Sequence, residues 1–176
     1  MHKSLRQPVL RPTDVVVALQ LTLSPRLLLR EVAESTLVSI AEVHGAIRRL
    51  ETAALVAPGE RRAPPDVLLP FLRYGAPHAF PPIVGPETVG VRTAYLVEPA
   101  PTEVGEGRAE YVWPSPDGSW RGPSLVPLHP RAAGIAEHNP SLARLLALVD
   151  VLRVGSTQDR HAAEEELRRL TEAASS

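Results

Sequence analysis

Fourteen of the chain's nineteen prolines lie between residues 64 and 130. Proline has no amide N–H and its ring clashes with the preceding turn, so long helices are not expected there beyond Tyr74. Regular helix is left to the two ends of the chain, and the middle must be built from short extended pieces edged by proline. The run Asp66 to Tyr74 still reads as a helical turn or two, with Val67, Leu68, Phe71 and Leu72 inward. Past it, Val89 to Val97, Ala109 to Trp113 and Trp120 to Leu128 read as extended. Pro116-Asp117-Gly118-Ser119 is rich in turn formers and predicts a hairpin joining Tyr111-Val112-Trp113 to Trp120-Arg121-Gly122. Phe71, Tyr74, Phe80, Tyr95, Tyr111, Trp113 and Trp120 supply apolar anchors, which favours packing of this stretch over disorder.

The N-terminal third reads as three short helices. Thr13 or Asp14 caps the first, whose inner face is Val15, Val16, Leu19 and Leu23. Ser24-Pro25 predicts the start of the second, since Pro at the first helical position loses no hydrogen bond. Leu28 and Val32 lie on one of its faces, and it ends near Ser35. The third starts at Ser39 and runs to about Thr52. Ser39 with Glu42 has the spacing of a capping box, in which hydroxyl and carboxylate each take an amide of the first turn. Val43, Ile47, Leu50 and Ala54 then recur at intervals of four, three and four, which is an inward apolar stripe.

Residues 30 to 56 contain Arg-Glu-Val-Ala-Glu, a turn, Ser39, then Ile47-Arg48-Arg49-Leu50-Glu51 and a closing Leu55-Val56. This stretch resembles the winged helix-turn-helix of bacterial transcriptional regulators, MarR-like ones in particular, over roughly residues 10 to 63. The resemblance implies that the helix at 39–52 lies in a DNA major groove. It also implies a short hairpin wing over Val56 to Pro65, with Gly59 at its tip and Arg61 and Arg62 aimed at phosphates or a minor groove. Leu37 occupies a turn position where Gly is common. A left-handed Leu costs about 1–2 kcal/mol, which favours a turn of another shape.

With the apolar stripe inward, the outward face of the third helix carries Ala41, His44, Gly45, Arg48 and Thr52. Base edges are read by matched donors and acceptors, and here only His44, Arg48 and Thr52 offer them. Ala41 and Gly45 permit close approach, while Ile40 is apolar where a polar residue is frequent. The candidate DNA-binding residues are therefore Ser39, His44, Arg48, Arg49, Thr52, Arg61 and Arg62. Arg49 also has the alternative of pairing with Glu42 or Glu51.

Charge is unevenly placed. Residues 1–62 hold nine Lys and Arg against six Asp and Glu, and the remainder holds ten against fourteen, for a net −1 overall. The sign of that asymmetry suits an N-terminal DNA-facing module. With no cysteine, disulfides and thiolate metal sites are excluded. The six histidines lack any spacing that sets two ligands on one helix face, and no phosphate loop or nucleophile elbow is present. No cofactor, metal or enzymatic activity is expected. No apolar run approaches the length of a membrane span, so the expectation is a soluble, cytoplasmic protein.

Helix returns at the C-terminus. Asn139-Pro140 starts one helix with the face Leu142, Leu145, Leu146, Val149 and Leu152, and Gly155 ends it. Ser156 with Asp159 starts another past Leu170, with Ala162, Ala163, Leu167 and Leu170 on one side. Glu164, Glu165 and Glu166 read as a solvated face paired with nearby arginines. These two helices either cover the middle segment or dimerise, and the resemblance implies dimerisation.

The expected fold is mainly α with a small β component. It comprises a winged helix-turn-helix over 1–63, then a Pro-rich β/coil module with two C-terminal helices over 64–176. The expected function is a dimeric DNA-binding transcriptional regulator, with a small-molecule effector or protein partner acting on the second module. The alternative is a protein-interaction module, antitoxin-like or adaptor, that uses the helix-turn-helix as a scaffold.

Overall fold

The computed structural model describes residues 9–94 and 109–175. The protein is mainly α with a small β component. Its helices are α1 (Pro12–Leu23), α2 (Leu29–Thr36), α3 (Ile40–Thr52), α4 (Pro65–Pro70), α5 (Ala76–Ala79), α6 (Ala132–His138), α7 (Pro140–Val154) and α8 (Thr157–Ser175). Its strands are β1 (Val84–Arg92), β2 (Val112–Pro114) and β3 (Trp120–Leu125).

α1 is the central helix. Every residue from Asp14 to Thr22 is buried, because α2 and α3 cover one side while α7 and α8 cover the other. A helix apolar all round belongs inside, and the one-sided face expected for α1 understated it. α7 is similarly enclosed: Leu142, Leu145, Leu146, Val149 and Leu152 are all buried, as are Ala147, Leu148 and Val151 between them. Burying each large aliphatic side chain contributes roughly 1.5–3 kcal/mol before ordering costs. One contiguous apolar core therefore runs from Val15 through Leu50 and Leu69 to Leu167, and both halves of the chain share it. The faces of α7 and α8 that the sequence left open to dimerisation are covered within the single chain.

The helix ends follow the caps. Asn139 accepts the Leu142 N–H at 3.2 Å, and Gly155 ends α7. Ser156 and Asp159 bond reciprocally at 2.9 and 3.2 Å, so α8 starts as expected. The start of α2 differs from expectation. Pro25 and Arg26 form a turn with Arg26 at φ 68°, and α2 begins four residues after Pro25 because Glu31 takes the Leu28 N–H at 2.7 Å. Leu28 is consequently exposed while Val32 is buried.

The segment from Pro65 to Ala79 is a continuous helical run: α4, a π-helical turn over Phe71–Gly75, then α5. Pro70 and Pro77 fit because the wider π turn and the fresh start after Gly75 need no amide there. Its inward face is Leu68, Leu69, Leu72 and Ala76, so Val67 points outward and Leu69 takes its place.

The expected hairpin is absent, although its turn is present, with the Gly118 N–H bonded to the Ser115 carbonyl at 3.1 Å. β2 and β3 each pair antiparallel with β1, through Val91↔Trp113 and Val89↔Arg121 among others, and Gly90 faces both strands. Two strands antiparallel to a third run parallel to each other, and the bridge Val112↔Ser124 closes the small sheet. The chain crosses β1 at Gly90, where a Cβ would lie 2.1 Å from the Trp113 carbonyl oxygen. A Cβ at Gly118 would lie 2.2 Å from the Gly90 backbone, so only glycine fits at this crossing. Pro86 sits at the irregularity between Val84 and Glu87, where the ladder needs no donor. Trp113 and Phe80 anchor the region, Phe71 and Tyr111 are half-buried, and Tyr74 and Trp120 are exposed. Tyr95 and the expected strand end at 95–97 lie outside the described residues.

A buried polar cluster that the sequence reading missed ties the sheet to α7. Asp150 accepts from Thr93 Oγ1 at 2.8 Å, Trp113 Nε1 at 2.7 Å and Arg153 Nη1 at 2.7 Å. Arg153 also donates to the carbonyls of Phe80, Pro81 and Val126. Burial pushes the Asp150 carboxyl up from its ordinary value, against the pull of the Arg153 charge and the hydrogen bonds. Its sequence signal was an Asp and an Arg three apart inside an otherwise apolar helix.

Candidate nucleic-acid interface

The α2–turn–α3 unit is built from a left-handed turn after all. Leu37 has φ 55° and ψ 28°, and the Val38 N–H returns to the Ala33 carbonyl at 3.2 Å. The strain is tolerated because the Leu37 side chain packs on α6, 3.2 Å from where a Cβ on Gly134 would stand. A glycine at position 37 would forgo that contact. Asn139, at the α6–α7 junction, adds a hydrogen bond to the Ser35 carbonyl and a shorter one to Gln20 at 2.8 Å. The turn is thus braced from a segment a hundred residues further along the chain, which no local pattern could have announced.

Ser39 caps α3 by accepting the Glu42 N–H at 3.3 Å. The reciprocal half of the expected box is missing, since the Glu42 carboxylate meets Arg11 at 3.4 Å and Arg49 at 3.5 Å instead. The inward stripe is Val43, Ala46, Ile47 and Leu50. Ala54 lies past the helix, exposed and left-handed at φ 57°, and Leu55 and Val56 return the chain to the core.

The outward face presents Ile40, Ala41, His44, Arg48 and Thr52, all exposed. Thr52 Oγ1 donates to the Arg48 carbonyl at 2.8 Å, so its proton is used within the helix while its lone pairs face outward. Arg48 has its guanidinium at the surface. Arg49 does not belong to this face. Its Nε and Nη2 donate to the two Asp14 oxygens at 2.8 and 2.6 Å, and its side chain is only 17% exposed. Gly45 serves that pair: a Cβ there would stand 3.1 Å from Arg49 Nη1, so the missing side chain lets the guanidinium cross toward α1. Asp14, 1% exposed, therefore fixes α3 on α1, and the expected DNA contact by Arg49 is corrected to an internal one.

No wing follows α3. Among the described residues there is no strand between α3 and α4. Gly59 turns the chain at φ 78°, with its N–H held by Glu51 at 2.9 Å, and Pro58, Pro64 and Pro65 deny the segment a ladder. Arg61 is half-buried at φ 45°, its carbonyl accepting the Arg26 N–H at 3.2 Å, while Arg62 is exposed. Both stand on coil, not on a hairpin.

The tertiary fold contributes residues that sequence reasoning missed. His129, Pro130 and Arg131, just before α6, line an open groove of about 810 Å³ together with Arg30, Leu37 and Ile40. Burial and the Arg131 charge hold His129 below its ordinary value, so it is neutral near pH 7, and Arg131 carries the charge on that wall. Among the described residues, no group of three His, Asp or Glu side chains is placed to hold a metal ion. Among them, too, no helix is long and apolar enough to cross a membrane. Comparison with protein-family models, curated proteins and solved structures gives no match.

Proposed function

We propose that the protein is a DNA-binding transcriptional regulator of the MarR-like helix-turn-helix kind, acting as a homodimer on double-stranded DNA. The observation that carries this reading is the capped α3, whose exposed His44, Arg48 and Thr52 stand on one outward face after a left-handed turn. Ser39 and His44 lie toward its N-terminal end, where groove-inserted helices meet base edges. Arg48 contacts phosphate or guanine, and Arg61 and Arg62 give backbone contacts from the coil after α3. With few base-reading groups, sequence preference is modest.

Fluorescence anisotropy on the protein's own upstream DNA and on scrambled DNA, across a salt series, tests the reading. Each neutralised phosphate contributes about −0.9 to the log–log slope. Arg48→Ala is expected to cost about 1–3 kcal/mol of binding, with unfolding free energy kept within about 0.5 kcal/mol. Absence of binding at low salt sinks the proposal.

A second reading, a protein-interaction module, is favoured by one specific feature. Ile40 is 54% exposed beside the groove that Leu37 and Pro130 line. If that reading holds, Ile40→Glu abolishes capture of a partner while Arg48→Ala leaves every DNA assay unchanged.

A further inference from the structure

With no wing after α3, the fold brings a different segment to the helix-turn-helix. Between β3 and α6 the chain passes the N-terminal end of α3, where His129, Pro130 and Arg131 share a groove with Ser39 and Ile40. That segment is a fixed turn. The Ala132 N–H returns to the His129 carbonyl at 3.0 Å, and the Arg131 N–H donates to His129 Nδ1 at 3.2 Å. The second bond needs the unprotonated Nδ1 of a neutral imidazole, which burial and the Arg131 charge favour. Leu128 and Ala132, on either side, are buried and tie the turn to the core. α6 carries the Leu37 contact and leads into Asn139, which bonds to Ser35, so the turn and the helix-turn-helix are fixed to one another.

Arg131 is exposed on this turn, and the acids of the groove are answered by other cations. Glu42, on the α3 side, meets Arg11 and Arg49, while Glu34, on the α2 side, has Arg30 one turn before it on the same face. α3 spans 13 residues, about 20 Å. A major groove is about 12 Å wide, so a helix seated in it has phosphates near both of its ends. Arg61 and Arg62 follow the C-terminal end of α3, and Arg131 stands by the N-terminal end. We propose that the His129–Arg131 turn is a second DNA-contacting element, in which the Arg131 guanidinium binds a phosphate of the duplex beside the start of α3. A guanidinium can meet a phosphate with two parallel N–H donors, and here it is carried on a turn that is already ordered. The contact comes from the C-terminal part of the chain, so both halves grip one duplex where a wing would otherwise act. This inference rests on the DNA-binding reading of α3 and extends it.

The test is fluorescence anisotropy of the full chain and of Arg131→Gln on upstream and on scrambled DNA, between about 50 and 200 mM salt. Arg131→Gln is expected to bind both DNAs about three- to tenfold more weakly and by the same factor, because a phosphate contact carries no sequence information. The magnitude of its log–log salt slope is expected to fall by about 0.9, the share of one phosphate. Arg131→Lys should keep that slope, and Arg121→Gln, exposed on β3 rather than on the helix-turn-helix, should match the unmodified chain. An equal loss for Arg121→Gln overturns the inference as a general effect of net charge. A loss confined to upstream DNA with an unchanged slope also overturns it, since that marks a base contact. Unchanged affinity and slope for Arg131→Gln, with the unmodified chain binding DNA, overturn this inference and leave the reading of α3 in place. If the unmodified chain binds neither DNA at low salt, the reading of α3 falls and this inference falls with it.

Discussion

Asp14 in α1 and Asp150 in α7 are both shielded from solvent, and each meets an arginine, but the two regions use the pair differently. In the N-terminal region the partner comes from another helix and reaches Asp14 along an edge: Arg49 remains 17% exposed and touches Glu42 as well. In the sheet region the pair is wholly internal, and Arg153 spends its remaining donors on three backbone carbonyls of the proline-rich chain. The first pair aligns two regular helices that already bury a common apolar stripe. The second holds down segments with little regular hydrogen bonding of their own, so the same two residue types act as a positioning tie in one place and as a framework in the other. A buried pair can be worth little net, yet breaking one partner out of it is costly. That asymmetry makes the comparison testable.

The largest effect is expected at Asp150. Asp150→Ala leaves Arg153 and the Trp113 N–H buried without their acceptor and should cost about 3–5 kcal/mol in urea unfolding. A loss below about 1 kcal/mol would show that the cluster is not a framework. Arg49→Met comes next, at about 2–3 kcal/mol, since Asp14 loses two charge-assisted hydrogen bonds but sits near an edge that water can reach. If Arg49 instead contacts DNA, that variant loses DNA affinity per folded molecule as Arg48→Ala does, and the internal assignment fails.

The two regions meet at Leu37, where strain and packing can be separated. Leu37→Ala keeps the left-handed strain and loses the contact with α6, whereas Leu37→Gly also relieves the strain. Leu37→Gly should therefore be more stable than Leu37→Ala by about 1 kcal/mol in thermal or urea unfolding, and the reverse order would refute a strained turn. The smallest effect extends the series to a partly open carboxylate, Glu166, which Arg169 and Arg144 hold below the ordinary glutamate range. A depressed folded value means stability that is present above about pH 4.3 and lost as pH falls through the folded value. Glu166→Gln should cost about 0.5–1 kcal/mol at pH 7 and nothing measurable in strong acid. A difference that persists in acid would rule out the charge as its cause.

Many of the helix ends in both terminal regions were legible in the sequence. Ser39, Asn139-Pro140, Gly155 and Ser156 with Asp159 each mark a helix end through bonds to amides within three or four residues, so their signal is local. The stripe Val43, Ile47 and Leu50 is legible for the same reason. The start of α2 was misplaced because Pro25 and Glu31 offer competing local solutions, and the Glu31 bond to Leu28 prevailed. The hairpin failed differently: its turn residues were read correctly, but both strands pair antiparallel with β1 and only parallel with each other, and pairing with a strand twenty or more residues away leaves no local trace. At the candidate interface, Arg48 and Arg49 are neighbours with the same side chain. Only the position of Asp14 on α1, and the room at Gly45, separates an outward arginine from an inward one.

What this sequence determined by itself is the division of labour along the chain: helix at both ends, short extended pieces in the proline-rich middle, and a capped helix with few polar side chains on its outward face. These follow from backbone rules that act over a few residues. Tertiary structure alone decided that α1 and α7 are enclosed on all sides, that α7 and α8 spend their apolar faces within the chain, and that Asp150 and Arg153 anchor the sheet. It also placed Arg131 beside α3 and laid Arg92 over the Trp120 ring. Each of those outcomes depends on which distant surfaces exclude water together, and that is a property of the packed core.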